Sequence, residues 1–378
     1  MTSSFFSGLS LLFGTIVGAG VFALPYVIAK SGALLGLVWL GVLGALMATL
    51  HVCYGEVCLR TEGRHRLVGY ASIYLGRWGK IAATLSALVG TAGALLAYVI
   101  LGGVFGQALF SRVVPWSSQM FAVLFWLICS WLVWQKAKKI ARAELIMNVF
   151  LVGSILLLIA LSLPMVRVAS LPLANIRFLF LPYGVFLFAL SGGSAIPEIL
   201  DLLKTPKEKR SLRPIILACF SLVLVLYLLF SFTVAGVSGD KTSQDAITGL
   251  RNIVGEGAVL LGSFFGLFAV ATSFLVLGEY LKNTCIYDYG MRPISALLCA
   301  TGVPLILFLA GAREFILVIG ITGTIMGVLE GVLVMALFQK AKNRGTRIPE
   351  YSVALGVPYS VFIALALVGG GVAYLWFF

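Results

Sequence analysis

An uncharged run from Phe5 to Ala29 constrains the fold of this chain more than any other feature. The run is long enough to cross a bilayer as a helix. Its middle, however, reads Gly14-Thr-Ile-Val-Gly-Ala-Gly20, and Pro25 follows shortly after. A glycine inside a helix costs about 1 kcal/mol relative to alanine, and a proline removes a backbone donor. The pattern therefore predicts a membrane helix that breaks near Gly18 to Gly20.

Broken backbone at membrane depth persists only where it is buried in protein or lines a watery cavity. The N–H groups freed in the second half of such a helix can bind a carboxylate, and the C=O groups freed in the first half can bind a cation. A second interpretation stays open, because Gly14 and Gly18 also have the Gly-x-x-x-Gly spacing that packs membrane helices together. A second interrupted span later in the chain favours the broken helix.

Composition supports a membrane protein. The 378 residues are 61% hydrophobic and 11% charged, with a mean hydropathy of +1.07, which excludes an ordinary soluble domain. The net charge is +13, but the basic residues lie in short loops, where they set orientation and meet anionic lipid rather than nucleic acid. The sequence shows no Cys-x-x-Cys pair, phosphate loop or catalytic triad, so we expect neither an enzyme nor a cofactor beyond a coupling ion.

The hydrophobic runs predict eleven membrane spans and a single transmembrane domain over residues 1–378. The approximate spans are 5–29, 33–58, 80–110, 117–135, 141–163, 178–202, 213–238, 257–281, 293–311, 314–339 and 355–378. Most basic loop residues lie on the cytoplasmic side if the N-terminus is cytoplasmic, so the C-terminus is predicted outside and the protein in the inner (plasma) membrane. The sequence predicts no oligomeric state.

The sixth span is also interrupted, at Ser191-Gly192-Gly193-Ser194. Pro197 follows in the first turn of the second half, where its missing N–H does no harm, and Ser194 is a suitable cap for that half. Spans one and six cross in opposite directions because they are five spans apart. Paired interrupted spans indicate an inverted-repeat secondary transporter, with repeats at about 5–163 and 178–340 and an extra helix at 355–378.

Three motifs resemble permeases of the amino-acid/polyamine/organocation superfamily, and most of all the hydroxy and aromatic amino acid permeases. The segment from Gly14 to Pro25 resembles their first helix, Phe186 to Glu198 their sixth, and Ala271-Thr-Ser-Phe-Leu275 their eighth. The resemblance implies an all-α fold of the leucine-transporter type that imports amino acids by alternating access. Bacterial tyrosine and tryptophan carriers have a histidine where this chain has Ser191-Gly192, which leaves aromatic specificity and the coupling ion open.

The two breaks form the predicted amino acid site. Backbone N–H groups of residues 19–21 are expected to bind the carboxylate, and oxygen atoms of Ala189, Ser191 and Gly192 the ammonium group. No Asp or Glu lies in either break, which favours a neutral over a cationic substrate. The predicted substrate-binding residues are Thr15, Gly18, Ala19, Gly20, Val21, Ala189, Ser191, Gly192, Gly193 and Ser194.

A sodium site is one of two hypotheses for coupling. The hydroxyls of Thr272 and Ser273 are hard oxygen ligands that suit sodium. The resemblance to sodium-coupled carriers implies that they bind one ion together with backbone carbonyls of Gly14, Val17 and Ala269. The alternative is that both hydroxyls bond to their own helix, as membrane-helix hydroxyls often do.

Proton coupling is the competing hypothesis. Some proton-coupled relatives replace the ion with a lysine on helix five, but residues 145–166 contain neither Lys nor Arg. Glu330 is the proton-coupling candidate, since it lies about ten residues before Lys340 and thus roughly 15 Å from the inner end of its span. A carboxylate at that depth is a functional hypothesis by default. Sodium is slightly favoured; an uncoupled exchanger, or a channel or scaffold without transport, remain alternatives.

Overall fold

The structure is a computed structural model that describes residues 3–135, 140–166, 171–287 and 290–378. These residues form helices and connecting loops, with no β-strand among them. The helices are α1 Ser3–Ile16, α2 Leu24–Ser31, α3 Ala33–Arg60, α4 Leu67–Phe110, α5 Ser118–Trp134, α6 Ile140–Ser162, α7 Leu181–Ala189, α8 Ala195–Leu202, α9 Pro206–Lys209, α10 Leu212–Ser238, α11 Arg251–Val254, α12 Glu256–Tyr287, α13 Pro293–Leu309, α14 Phe315–Arg344 and α15 Val357–Phe377. The predicted all-α architecture is confirmed.

Seven helices of the described chain are long and apolar enough to cross a membrane: α3, α4, α6, α10, α12, α14 and α15. The first predicted span is a bent pair, in which α1 and the segment 19–31 meet at 48°. Helices α5 and α13 are apolar but shorter, and α7 and α8 form a second interrupted pair. The count of eleven spans therefore stays a prediction.

The first break begins slightly earlier than predicted. Helix α1 ends at Ile16, Val17 and Gly18 form the break, and Ala19–Ala23 form a short 3-10 turn that leads into α2. Pro25 lies in the first turn of α2, where a helix has no use for the missing N–H. Gly20, the last glycine of the motif, therefore belongs to the 3-10 turn and not to the break.

The second break follows the prediction except at its cap. Residues 190–194 separate α7 from α8, and Pro197 lies in the first turn of α8. Ser194 stands at the position before α8, but its hydroxyl makes no capping hydrogen bond, so that prediction is wrong. Its φ of −60° and ψ of −30° are already helical, whereas a capping side chain needs extended backbone to reach the N–H groups.

The third span also begins earlier than predicted. Helix α4 starts at Leu67 rather than near residue 80, and it changes direction at Gly76, whose φ is +68°. This φ lies in the left-handed region that glycine tolerates and other residues avoid. A short first segment, ending at Gly76, thus precedes the membrane-crossing part of α4.

Helices α10 and α14 hold the two broken spans at the centre of the fold. Helix α10 packs against both α1 and α2, and α14 packs against α7, α4 and α3. Helix α1 in turn contacts α8, and the 3-10 turn contacts α7. The halves of the two broken spans therefore touch each other directly, which positions the candidate site.

Candidate functional site

The two breaks lie side by side, as the sequence predicted. A Cβ atom placed on Gly20 would lie 2.7 Å from the Cα atom of Ala189, and one on Gly192 would lie 2.5 Å from Cγ1 of Ile16. Such distances are far below van der Waals contact, so only glycine fits at both positions. Gly20 and Gly192 are thus each required by the close approach of the other broken span.

The first break presents two unpaired donors. The backbone N–H groups of Ala19 and Gly20 have no acceptor among the described residues, whereas the N–H of Val21 donates to the carbonyl of Gly18 at 3.2 Å. No atom of the described part of the chain lies within 4 Å of a Cβ atom placed on Gly18. Buried N–H groups require a partner, and a carboxylate in the space beside Gly18 would supply it. Two of the three predicted donors, the N–H groups of Ala19 and Gly20, are therefore available to bind a carboxylate.

The second break presents acceptors of unequal availability. The carbonyl of Ala189 accepts a hydrogen bond from the Tyr227 hydroxyl at 2.9 Å, and that of Gly192 accepts from the N–H of Ala195 at 3.1 Å. Half-buried Ser191 makes no side-chain hydrogen bond with a described residue. Carbonyl and hydroxyl oxygens each have two lone pairs, so the carbonyls of Ala189 and Gly192 and the hydroxyl of Ser191 can all still accept from an ammonium group. The Ser191 hydroxyl has the fewest partners of the three.

Two predicted site residues have exposed side chains. Thr15 lies in the last turn of α1, and its hydroxyl donates to the carbonyl of Leu11 at 2.8 Å. Ser194 is exposed at the start of α8. Their assignment to the substrate site continues to rest on their position in the chain.

Tyr227 on α10 is a site residue that sequence reasoning missed. Its ring is fully buried, and its hydroxyl lies 3.0 Å from the carbonyl oxygen of Ile16 and 2.9 Å from that of Ala189. Ile16 ends α1 and Ala189 ends α7, so one hydroxyl joins the two spans where each breaks. A tyrosine inside an apolar span, in a chain with 13 of them, gives no sequence signal of this role.

The predicted sodium ligands make hydrogen bonds within the protein. Thr272 donates to its own helix, with its hydroxyl 3.1 Å from the carbonyl of Phe268 and 3.0 Å from that of Ala269. The carbonyl of Gly14 accepts from the side-chain amide of Asn148 at 3.2 Å. Two of the three carbonyls that the resemblance assigned to the ion thus have donors of their own.

The remaining two predicted ligands are less informative. Val17 is buried in the first break, and its N–H donates to Phe13 at 2.8 Å. Ser273 is half-buried, and its hydroxyl makes no hydrogen bond with a described residue. Asn148, which lies on α6, is a further residue that the sequence did not single out, because only a cationic side chain on that helix is expected to replace the ion.

Glu330 reaches the second break. Its Oε1 atom occupies the place that a side chain on Gly193 would take. The half-buried carboxylate makes no hydrogen bond or ion pair with any residue in the described part of the chain. Glu330, Gly193, His51 and Tyr54 line one small cavity between α3, α14 and the break. A titratable group therefore lies against the predicted substrate site.

Comparison with known proteins identifies the family. The model of the tryptophan/tyrosine permease family matches residues 1–376. The chain belongs to this family.

Two similar proteins and one solved structure agree with that assignment. The permease is 22% identical over 358 residues to Glutamine transporter 2 of Aliivibrio fischeri, covering 92% of this chain and 91% of that one. It is 24% identical over 361 residues to Tyrosine-specific transport system 1 of Haemophilus influenzae, covering 90% and 88%. MhsT, solved in complex with L-phenylalanine, has the same fold, with a TM-score of 0.67 at 18% identity and coverage of 98% and 97%. The permease is thus a multi-pass amino acid transporter of the leucine-transporter type and not an enzyme.

Ion pairs tie the second half of the sixth span to the loop after α3 of the permease. Arg64 lies 3.2 Å from Asp201, and Arg66 lies 3.7 Å from Asp201 and 3.9 Å from Glu198. Glu198 and Asp201 are on α8. These pairs are exposed, so each contributes little stability by itself, but together they link α8 to a neighbouring loop at one end of the fold.

The start of α1 is tied to the same end of the fold. The hydroxyl of Ser4 donates to Oε1 of Glu208 at 2.5 Å, and Oε2 of Glu208 accepts from the backbone N–H and hydroxyl of Thr205. The bond from Ser4, followed by those from Thr205, lowers the pKa of Glu208 to about 2. Hydrogen bonds to the ionised form explain the direction. Both broken spans therefore have polar tethers at this end.

Proposed function

We propose that the permease imports a neutral amino acid across the plasma membrane by alternating access, driven by a proton that Glu330 carries. The N-terminus is cytoplasmic and the C-terminus outside in this proposal. The observation that carries it is the contact of Glu330 with Gly193, because it places a titratable group directly on one of the two breaks. A proton on that group can then alter the shape of the substrate site.

The substrate would bind across the two breaks. Its carboxylate would accept hydrogen bonds from the unpaired N–H groups of Ala19 and Gly20, and its ammonium group would donate to Ser191 and neighbouring carbonyls. No acidic or basic side chain belongs to either break, which suits a neutral substrate. The names of the three similar proteins mention glutamine, tyrosine and L-phenylalanine, all of which are neutral. We therefore place the substrate in this class, with aromatic and hydroxy amino acids as the first to test.

Coupling would arise because the proton changes the balance between two conformations. A neutral Glu330 can stay packed against Gly193 in a nearly dry cavity, whereas an ionised carboxylate at membrane depth is costly and draws in water. Protonation would thus favour the state in which the break is formed and substrate binds. Linkage is reciprocal, so bound substrate would raise the affinity for the proton by the same factor.

Sodium is the second candidate for the coupling ion. The hydroxyl of Thr272 and the carbonyl of Ala269, two of the predicted ligands, lie 3.0 Å apart. Ser273 is next to Thr272 in the chain, and its hydroxyl makes no hydrogen bond with a residue that the structure describes. The carbonyl of Gly14 already accepts a hydrogen bond from the side-chain amide of Asn148, so only its second lone pair is open to an ion. Because three of the five predicted ligands, Gly14, Ala269 and Thr272, already have hydrogen-bond partners, the proton is the better-supported ion.

The experiment is uptake into proteoliposomes with pH and sodium gradients imposed separately, after counterflow with a panel of amino acids has identified a substrate. We expect a pH gradient to drive accumulation in sodium-free buffer. Glu330→Gln should abolish that accumulation but keep counterflow, which needs no net proton movement. Glu62→Gln, in the exposed loop after α3, is the matched control.

The opposite outcomes are equally clear. Uptake that follows a sodium gradient, ignores pH and fails in the double variant Thr272→Ala with Ser273→Ala would favour sodium. Accumulation by Glu330→Gln under a pH gradient would end the role of Glu330. The absence of both accumulation and counterflow for every amino acid would refute the proposed function itself.

A further inference from the structure

His51 lies on α3 with one ring nitrogen engaged and the other unpaired. The side chain is only 4% exposed, and its Nδ1 atom lies 2.7 Å from the carbonyl oxygen of Met47. A carbonyl only accepts hydrogen bonds, so Nδ1 carries the proton of the neutral ring and Nε2 carries a lone pair. That buried Nε2 atom has no partner among the described residues. A buried acceptor without a donor is costly and calls for an explanation.

His51 lines the same cavity as Glu330. The space open to the centre of a water molecule in this cavity is about 10 Å³, which is at the lower limit for one water. Such a water needs polar partners, and His51 and Glu330 are two of the polar side chains that line the cavity. The cavity therefore has the size and lining for a single bridging water.

Few other titratable groups face this pair. Tyr54, also on α3, is the third titratable side chain of the cavity lining, and Gly193 is the contribution of the second break. Helix α10 places the ring of Phe220 against the imidazole, with centroids 4.9 Å apart. Helices α4, α7 and α15, which also pack on α14, contribute no titratable side chain to the lining. No charged side chain of the described lining other than these competes for the proton.

We propose that His51 and Glu330 form one proton-binding site, in which a single proton is shared through a bridging water. In one form the Glu330 carboxyl O–H donates to the water, and the water donates to Nε2 of His51. In the other form the carboxyl O–H bond has broken, a water proton has formed an N–H bond at Nε2, and the water has been restored by the carboxyl proton. No electrons are transferred, and the pair has no net charge in either form.

Sharing explains both unpaired groups at once. With one proton in the pair, Nε2 of His51 and the carboxyl group of Glu330 each have a hydrogen-bond partner through the water. When the proton leaves, a single negative charge remains beside Gly193 and is costly at membrane depth. This inference rests on the proposed proton coupling and adds that Glu330 does not act alone: His51 would set how readily the site takes up its proton.

Two substitutions at His51 distinguish the roles of its two ring nitrogens. His51→Asn keeps a donor near the carbonyl of Met47 but has no atom at the position of Nε2. His51→Gln keeps a polar atom near that position but cannot take up a proton. His65 is the other histidine of the chain and lies in an exposed loop with Nε2 beside the carbonyl of Glu62, so His65→Gln is the matched control. Size-exclusion profiles and thermal unfolding in detergent would check that each variant is folded.

The main measurement is the pH dependence of uptake in proteoliposomes. Loss of His51 removes the partner that stabilises the protonated site, so half-maximal uptake should move to lower pH. We expect a shift of about one unit, equivalent to tenfold more protons, in both His51 variants and none in His65→Gln. The infrared band of the protonated carboxylic acid, identified by its loss in Glu330→Gln, should also move in both His51 variants, because its hydrogen-bond partner has changed.

The outcomes distinguish this inference from the proposed function. If Glu330→Gln loses proton-driven uptake while both folded His51 variants keep the wild-type pH profile and carboxylic acid band, Glu330 acts alone and the shared site is refuted. If Glu330→Gln keeps proton-driven uptake, the proposed function fails first. A His51 variant that does not fold leaves the other one to decide, since each tests the same nitrogen.

Discussion

Removal of the Tyr227 hydroxyl should weaken amino acid binding without dismantling the fold. The Tyr227→Phe variant keeps the buried ring and deletes only the oxygen that lies 3.0 Å from Ile16 and 2.9 Å from Ala189. A hydroxyl has one proton, so it donates to one carbonyl at a time. Ile16 also accepts from the N–H of Gly18 at 3.0 Å, whereas no other donor to the Ala189 carbonyl exists among the described residues. The deletion therefore leaves Ala189 unsatisfied.

The size of the effect follows from that carbonyl. An unsatisfied buried acceptor costs about 1–3 kcal/mol, and 1.4 kcal/mol corresponds to a factor of ten, so the state with both breaks held together should become about 5- to 150-fold less populated. If substrate binds only to that state, its dissociation constant should rise by up to the same factor. Equilibrium binding of radiolabelled substrate to purified protein measures this change, and uptake kinetics show whether KM rises more than the maximal rate falls.

Tyr183→Phe is the matched control for this prediction. Tyr183 is also buried on a half of a broken span, and its hydroxyl donates to the carbonyl of Leu367 on α15 at 2.6 Å, away from both breaks. Both variants should lower the thermal stability by similar amounts, but only Tyr227→Phe should lower substrate affinity. Equal losses of affinity in the two variants, or unchanged affinity in Tyr227→Phe, would refute the reasoning.

Two further predictions concern the breaks and their tethers. Gly20→Ala should reduce substrate affinity by about 5- to 150-fold, since its Cβ would lie 2.7 Å from the Cα atom of Ala189 and overpacking costs about 1–3 kcal/mol. Gly41→Ala, where no described atom lies within 4 Å of the added Cβ, should bind substrate normally. Normal binding by both variants would contradict the close approach of Gly20 to Ala189. The tether between Ser4 and Glu208 should hold fully above about pH 4.5, the ordinary pKa of the carboxyl, and be lost as the pH falls through about 2. Ser4→Ala should return the pKa of Glu208 towards its usual range, which NMR titration of a labelled carboxyl can measure. An unchanged titration would show that Ser4 does not bond to Glu208.

The sequence by itself determined that the chain is an all-helical membrane protein and where two of its helices break. Hydropathy, glycine and proline act locally: an apolar run must be helical in lipid, and the motifs around Gly18 and Gly192 weaken the helix wherever it lies in the fold. Local causes of this kind can be read without knowing any tertiary contact.

Only the tertiary structure decided which groups meet at the breaks. Ser194 fails as a cap because the break holds its backbone in a helical conformation. Asn148, Tyr227 and the unpaired Nε2 of His51 lie in apolar helices far away in the chain. Whether such a side chain faces lipid, core or site depends on how each helix is rotated about its axis, and that rotation is set by packing between helices distant in sequence. The side chains that donate hydrogen bonds to the carbonyls of the broken spans could therefore not be identified from the sequence alone.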